Sequence, residues 1–159
     1  MWLMTRPMYE TNDSLVNERK IADFIEQIWK CELTKLPIRY YLDFVMHRNQ
    51  IAVGFCEMRT RNLPIEKIKE FGGWLVDIGK WNSAKQLSES SKLPVFFVLE
   101  TSDGLYYLKT TTFEHKGVLV RGRSDRNDWQ DVSPCVIIDT DLLIKIKDKE
   151  QKEKDWLDD

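Results

Sequence analysis

The chain has 159 residues, of which 42% are hydrophobic and 31% charged, enough to bury a sizeable core and far from the composition of a disordered segment. Its formal net charge is -2, so bulk positive charge is not its means of meeting nucleic acid. A nucleic-acid site here must be a local basic patch, or a metal that supplies the positive charge. Cys31, Cys56 and Cys135 are isolated, odd in number and outside metal-ligand spacing. They read as reduced small hydrophobes of a cytosolic protein. Two histidines, His47 and His115, are too few for a multi-histidine zinc site. The first ten residues carry no apolar stretch of signal-peptide length, and the longest apolar run, Val95 to Leu99, is far too short to cross a bilayer. A soluble protein without a membrane partner is expected.

In chain order, Asn12, Asp13 and Ser14 offer a helix cap. Apolar residues then recur at Leu15, Ala22, Ile25 and Trp29, with Ile21 and Ile28 beside them, which predicts a helix to about Lys30 or Cys31. Ile38 to His47 is rich in β-branched and aromatic types and predicts a strand. Arg48-Asn49-Gln50 suits a tight turn, and Gln50 to Arg61 suits its antiparallel partner. After Pro64 a helix is expected from about Ile65 to Ser91, with Gly72-Gly73 as the place where it bends or splits. A strand at Val95 to Glu100, a turn at Ser102-Asp103-Gly104 and a strand at Leu105 to Thr111 follow. Val118 to Arg121 and Cys135 to Ile138 read as short strands around a polar loop. The tail from Lys145, with five lysines and six acids in fifteen residues, reads as a solvated helix end or frayed terminus. With no repeat and no composition break, 1–159 is expected to be one domain: a core at about 9–111, an extension at 112–144 and a charged tail at 145–159.

Three acids stand where such a fold has no structural need of them. Glu18 falls on the apolar stripe of the first helix, where a carboxylate is costly unless paired or bound to metal. Asp43 lies among Tyr41, Leu42, Phe44 and Val45, although aspartate is depleted from strand interiors. Glu57 lies in the next strand, and a turn near Asn49 lets the two acids face the same side. Period two puts Glu57, Arg59 and Arg61 on one face. Hard divalent cations such as magnesium take oxygen ligands, and two carboxylates plus a substrate phosphate suffice to hold one. Such an ion polarises a phosphoryl oxygen and activates water.

Asp43, followed fourteen residues later by Glu57-Met58-Arg59 and preceded by a helix bearing Glu18, resembles the PD-(D/E)XK nuclease superfamily. The resemblance covers about Tyr9 to Lys109. The stretch Phe55-Cys56-Glu57-Met58-Arg59-Thr60-Arg61-Asn62 is similar to the E-x-K-x-R-N run of phage or mobile-element members. The resemblance implies a restriction-endonuclease-like αβββαβ core: an α/β fold whose mixed sheet is flanked by helices, here with extra C-terminal strands. It also implies Mg2+ or Mn2+ as cofactor and hydrolysis of phosphodiester bonds in nucleic acid, DNA or RNA, with DNA the expected substrate. Asp43 and Glu57 become the metal ligands, Glu18 an accessory acid, and Arg59 the occupant of the usual lysine position. Arg61, Lys67 and Lys80 become candidate nucleic-acid contacts, and related folds often dimerise to cut both strands, which leaves a homodimer open. The implied setting is the cytoplasm of a bacterium or phage-infected host.

Two features depart from the superfamily pattern. Arginine stands for lysine at position 59, and only Thr34 to Pro37 is available for the strand before Asp43. The first separates an active nuclease from a nuclease-like fold that serves as a nucleic-acid-binding or assembly module. Simpler roles stand beside each assignment. Glu18 can pair with Lys35 or Arg39, and Asp43 and Glu57 with Arg39, Arg59 or Arg61. Lys67 and Lys69 suit a solvated helix face, while Lys80 suits either a partner for Asp77 or a relocated catalytic lysine. Tyr9-Glu10 suits a cap or loop before the first helix, and Arg121, Arg123 and Arg126 offer a basic patch. A small acidic interaction domain unrelated to nucleases is the third reading, and it requires no clustering of the acids.

Overall fold

A computed structural model describes residues 12–37, 42–110, 117–122 and 132–148. Helix α1 (Asn12–Trp29) buries Ile21, Ala22 and Ile25 of the expected stripe, adds Phe24 beside them and leaves Ile28 exposed. Lys30 then turns left-handed at φ 53°, and Arg48 donates to the free carbonyls of Trp29 and Lys30 to close the helix end. The strand that precedes Asp43 is present but short: β1 (Glu32–Lys35) pairs antiparallel with β2 (Phe44–Arg48). Asn49 and Gln50, both at positive φ, form the tight turn into β3 (Ile51–Thr60). Ile38 to Tyr41, expected to begin the strand, lie outside the described residues.

The long helix expected over 65–91 is divided into three elements. Helix α2 (Ile65–Glu70) is followed by strand β4 (Trp74–Asp77) and helix α3 (Ile78–Ser91). Gly72 and Gly73, at φ 103° and 137°, make the break in a backbone region closed to most side chains. Trp74-Leu75-Val76 then pairs with β8 (Val132–Ile138) instead of continuing a helix. Strands β5 (Val95–Glu100) and β6 (Gly104–Lys109) follow as expected, and β7 (Gly117–Gly122) pairs with β8. After a 3₁₀ turn at Thr140–Leu142 the chain forms β9 (Ile144–Asp148), which pairs with β6. The beginning of the charged tail is therefore an edge strand, and the alternating Ile144, Lys145, Ile146, Lys147 is the period-two signal for it. The rest of the tail lies outside the described residues.

The main sheet is six-stranded in the order β1-β2-β3-β5-β6-β9; β3 and β5 are parallel and the other neighbours antiparallel. A second sheet has the order β4-β8-β7. Two apolar layers sandwich the main sheet. Ile21, Ile25, Phe44, Cys56, Met58 and Val98 pack between α1 and one face. Leu42, Trp74, Trp81, Phe97, Leu99 and Ile138 fill the other side, beneath α3 and the second sheet. Each such side chain is worth roughly 1.5–3 kcal/mol when fully buried. Strand β3 carries Cys56 and Met58 towards α1 while Phe55 packs on the opposite layer, so Glu57 points into the α3 side.

The glycine break generates a stability prediction. A Cβ at Gly73 would lie 2.4 Å from the Ile138 carbonyl oxygen, whereas one at Gly72 meets nothing within 4 Å. Gly73→Ala should cost roughly 2–4 kcal/mol and Gly72→Ala about 1 kcal/mol, read from urea denaturation midpoints. Equal costs for the two would show that the close approach to β8 is not what requires glycine.

Candidate active site

Asp43 sits one residue ahead of β2, where the strand pairing with β3 begins at Phe44 and Cys56. Its backbone N–H donates to the Cys56 carbonyl at 3.1 Å, and its Oδ2 accepts from the Met58 N–H at 2.8 Å. The aspartate thus takes up a donor of β3 beyond the paired stretch of β2, and it bonds to both residues that flank Glu57. Asp43 and Glu57 are both buried, at 8% and 1% exposure.

Lysine 35 joins Asp43 to Glu18. Its Nζ is 2.6 Å from Glu18 Oε1 and 3.2 Å from Asp43 Oδ1, and it stands 5.4 Å from the centre of the Phe44 ring. Burial works against the Lys35 charge, but the hydrogen bond it donates to Glu18 and the charge of Asp43 outweigh it and raise its pKa. The pairing of Glu18 with Lys35 is the simpler of the roles open to that acid.

Glutamate 57 meets two cations at one oxygen. Lys80 Nζ donates to Oε1 at 2.8 Å, and Arg59 Nη2 lies 3.2 Å from the same atom. Oε2 is buried and has no hydrogen-bond partner among the described residues. Lys80 reaches the site because Asp77 ends β4 and caps α3, with Oδ1 accepting from Gly79 N at 2.8 Å and Lys80 N at 3.4 Å. That start places Lys80 in the first turn of α3. Burial pushes the Glu57 carboxyl up to about 7; Arg59 and Lys80 oppose the rise and Asp43 adds to it.

The other residues singled out lie apart. Arg61 follows β3 and donates to the Thr60 carbonyl, and Lys67 on α2 pairs with Glu70 on the surface. Lys69 pairs with Asp141. Tyr9, Glu10, Arg123 and Arg126 lie outside the described residues. The three cysteines are free thiols. Among the described residues no group of three or more histidine, cysteine, aspartate or glutamate side chains is gathered so as to hold a metal ion. Asp43 and Glu57 nevertheless fit a hard divalent cation: both are oxygen donors, and the unpartnered buried Oε2 of Glu57 is the atom a cation would satisfy. Magnesium retains several waters and needs only one or two carboxylates. No helix among the described residues is long and apolar enough to cross a membrane.

A mixed six-stranded sheet flanked by helices, with one buried acid on β3 and another just ahead of β2, is the architecture of the restriction-endonuclease-like proteins. Eight solved chains match the structure. One of them is Hjc, a Holliday junction resolvase from the archaeal hyperthermophile Archaeoglobus fulgidus, at 10% identity and a TM-score of 0.50. The match covers 86% of this chain and 94% of that one. Residues 4–146 match the family described as "Phage putative PDDEXK endonuclease", and the chain belongs to that family. No curated protein matches the sequence.

The buried carboxyl sets a pH dependence. Its folded pKa of about 7 lies above the ordinary 4.5, so the native state holds the proton more tightly than the unfolded chain. Stability from this group is therefore full below pH 4.5 and declines as pH rises through 7. The decline should approach about 3 kcal/mol in metal-free protein, and Glu57→Gln should abolish it, as measured by urea denaturation with a chelator present. A wild-type pH profile parallel to that of the glutamine variant would show that Glu57 is ionised without cost.

Proposed function

We propose that the protein is a metal-dependent nuclease that hydrolyses phosphodiester bonds in DNA. Asp43 and Glu57 hold the divalent cation, Mg2+ or Mn2+, and Glu18 is the accessory acid. The observation that carries the reading is the pair of cations on Glu57. Arg59 occupies the motif position of the usual lysine, and Lys80 brings an ammonium to the same carboxylate from α3. Family membership and the likeness to a resolvase fold support a DNA substrate.

When bound, the cation polarises a phosphoryl oxygen and makes a water more acidic. The chain's own residues divide the remaining work. Arginine is planar and always charged, suited to steadying the phosphate as negative charge builds. Lysine is a compact ammonium whose pKa responds to its surroundings, suited to holding the attacking water and managing its proton. Lys80 thereby supplies what Arg59 lacks. Water adds to phosphorus, the ester P–O bond breaks, and the leaving oxygen takes a proton.

A second reading has its own support: the acids are already neutralised, Glu57 by Arg59 and Lys80, and Glu18 and Asp43 by Lys35. A nuclease fold that only binds or assembles on DNA would look the same. Nicking of supercoiled plasmid and cleavage of duplex, branched and junction DNA with Mg2+ or Mn2+ separate the two, with Glu57→Ala as the blank. Cleavage by wild type is expected. Lys80→Ala should lower kcat by about a hundredfold to a thousandfold, roughly 3–4 kcal/mol, and Lys80→Arg should restore only part of it. Wild type indistinguishable from the blank on every substrate leaves the binding module. Full activity in Lys80→Ala would remove Lys80 from the chemistry.

A further inference from the structure

We propose that Lys35 is a built-in counterion that competes with the divalent cation for Asp43, so that metal binding must first displace it. The inference rests on the reading of Asp43 as a metal ligand. The Lys35 ammonium touches Asp43 Oδ1 at 3.2 Å, while Oδ2 is committed to the Met58 N–H. Oδ1 is therefore the less committed oxygen for a cation, and a lysine already stands on it. Lys35 can leave Asp43 without losing every partner, because its contact with Glu18 Oε1 is the shorter, at 2.6 Å, and its side chain is 31% exposed. Once displaced, Lys35 stays tethered beside the site by Glu18, a positive charge available to the phosphate of a nucleic acid. A phosphodiester that draws Lys35 away frees Asp43, so phosphate and metal should bind cooperatively.

Arg19 provides a charge control, because its guanidinium lies 5.6 Å from the same Phe44 ring but pairs with Asp23 and Glu26 instead of the site acids. Titration calorimetry with Mn2+ alone should show Lys35→Gln binding at least fivefold more tightly than wild type, and Arg19→Gln changed by less than twofold. Amine acylation of the wild-type protein read by mass spectrometry supplies a measurement that needs no variant. Lys35 should become severalfold more reactive at saturating Mn2+, with surface Lys67 as the internal reference. Equal affinity in wild type and Lys35→Gln, equal tightening in both variants, or a Lys35 that stays protected in metal would overturn the proposal. Asp43→Asn keeps its failure distinct from that of the nuclease reading. Loss of Mn2+ binding in that variant alongside an indifferent Lys35 sinks only the counterion role, whereas retained binding sinks the metal-ligand assignment and the counterion role together.

Discussion

A carboxylate buried at 1% exposure in the middle of a sheet is the constraint to which the rest of this site answers. An isolated ionised carboxylate in such a place costs far more than any single contact returns, so it must be protonated, paired or bound to a cation. Glu57 is held between these states. Lys80 and Arg59 draw it towards ionisation, and burial draws it the other way. The division of the 65–91 segment follows from the same need. A continuous helix could not have delivered Lys80 from a helix start, whereas a strand ending at Asp77 puts a cap there and a lysine three residues on.

The second sheet has a role in this geometry beyond covering apolar surface. Strand β4 is anchored to β8, and Trp74, Val76, Val136 and Ile138 pack with Trp81 and Phe97. The start of α3 is thereby tied to the layer beneath which Glu57 lies. On the opposite face, α1 presents Glu18 to Lys35 while its lower half packs on Phe44 and Met58. Lys35 at the end of β1 and Lys80 on α3 thus each bring a cation to one acid of the Asp43–Glu57 pair. The pairing of β2 with β3, which begins beside Asp43, fixes the register of the two.

These contacts leave the acids neutralised in the absence of metal. Like charges gathered without counterions would repel and destabilise the fold, and lysine and arginine remove that cost while remaining displaceable. Under the proposed nuclease function, such a site could fold without metal and later receive one. An acidic chain, at net charge -2, could then present positive charge to a phosphate, because the cations are local and aimed by the same acids that they neutralise.

Much of this was legible in the residues themselves. The 3.6-residue stripe of α1, the alternation of β3, the Asn49-Gln50 turn and the apolar run of β5 are local patterns, set by chain geometry and by which side chains avoid water. So was the unusual position of Asp43 and Glu57, because acids inside strand-like sequence have few bland explanations. Other features needed contacts distant in sequence. Trp74 to Asp77 could extend a helix or form a strand, and pairing with β8, about sixty residues on, decides it. The alternation at Ile144 to Lys147 becomes a strand only because β6 offers an edge. Lys80 was open to a catalytic reading in the sequence and Lys35 only to a pairing with Glu18; each matters because tertiary packing brings its ammonium within hydrogen-bonding distance of an acid from another element. Composition and periodicity determine which faces are buried. The partners of a buried charge are chosen by three-dimensional proximity, which no sequence spacing across a sheet and a helix encodes.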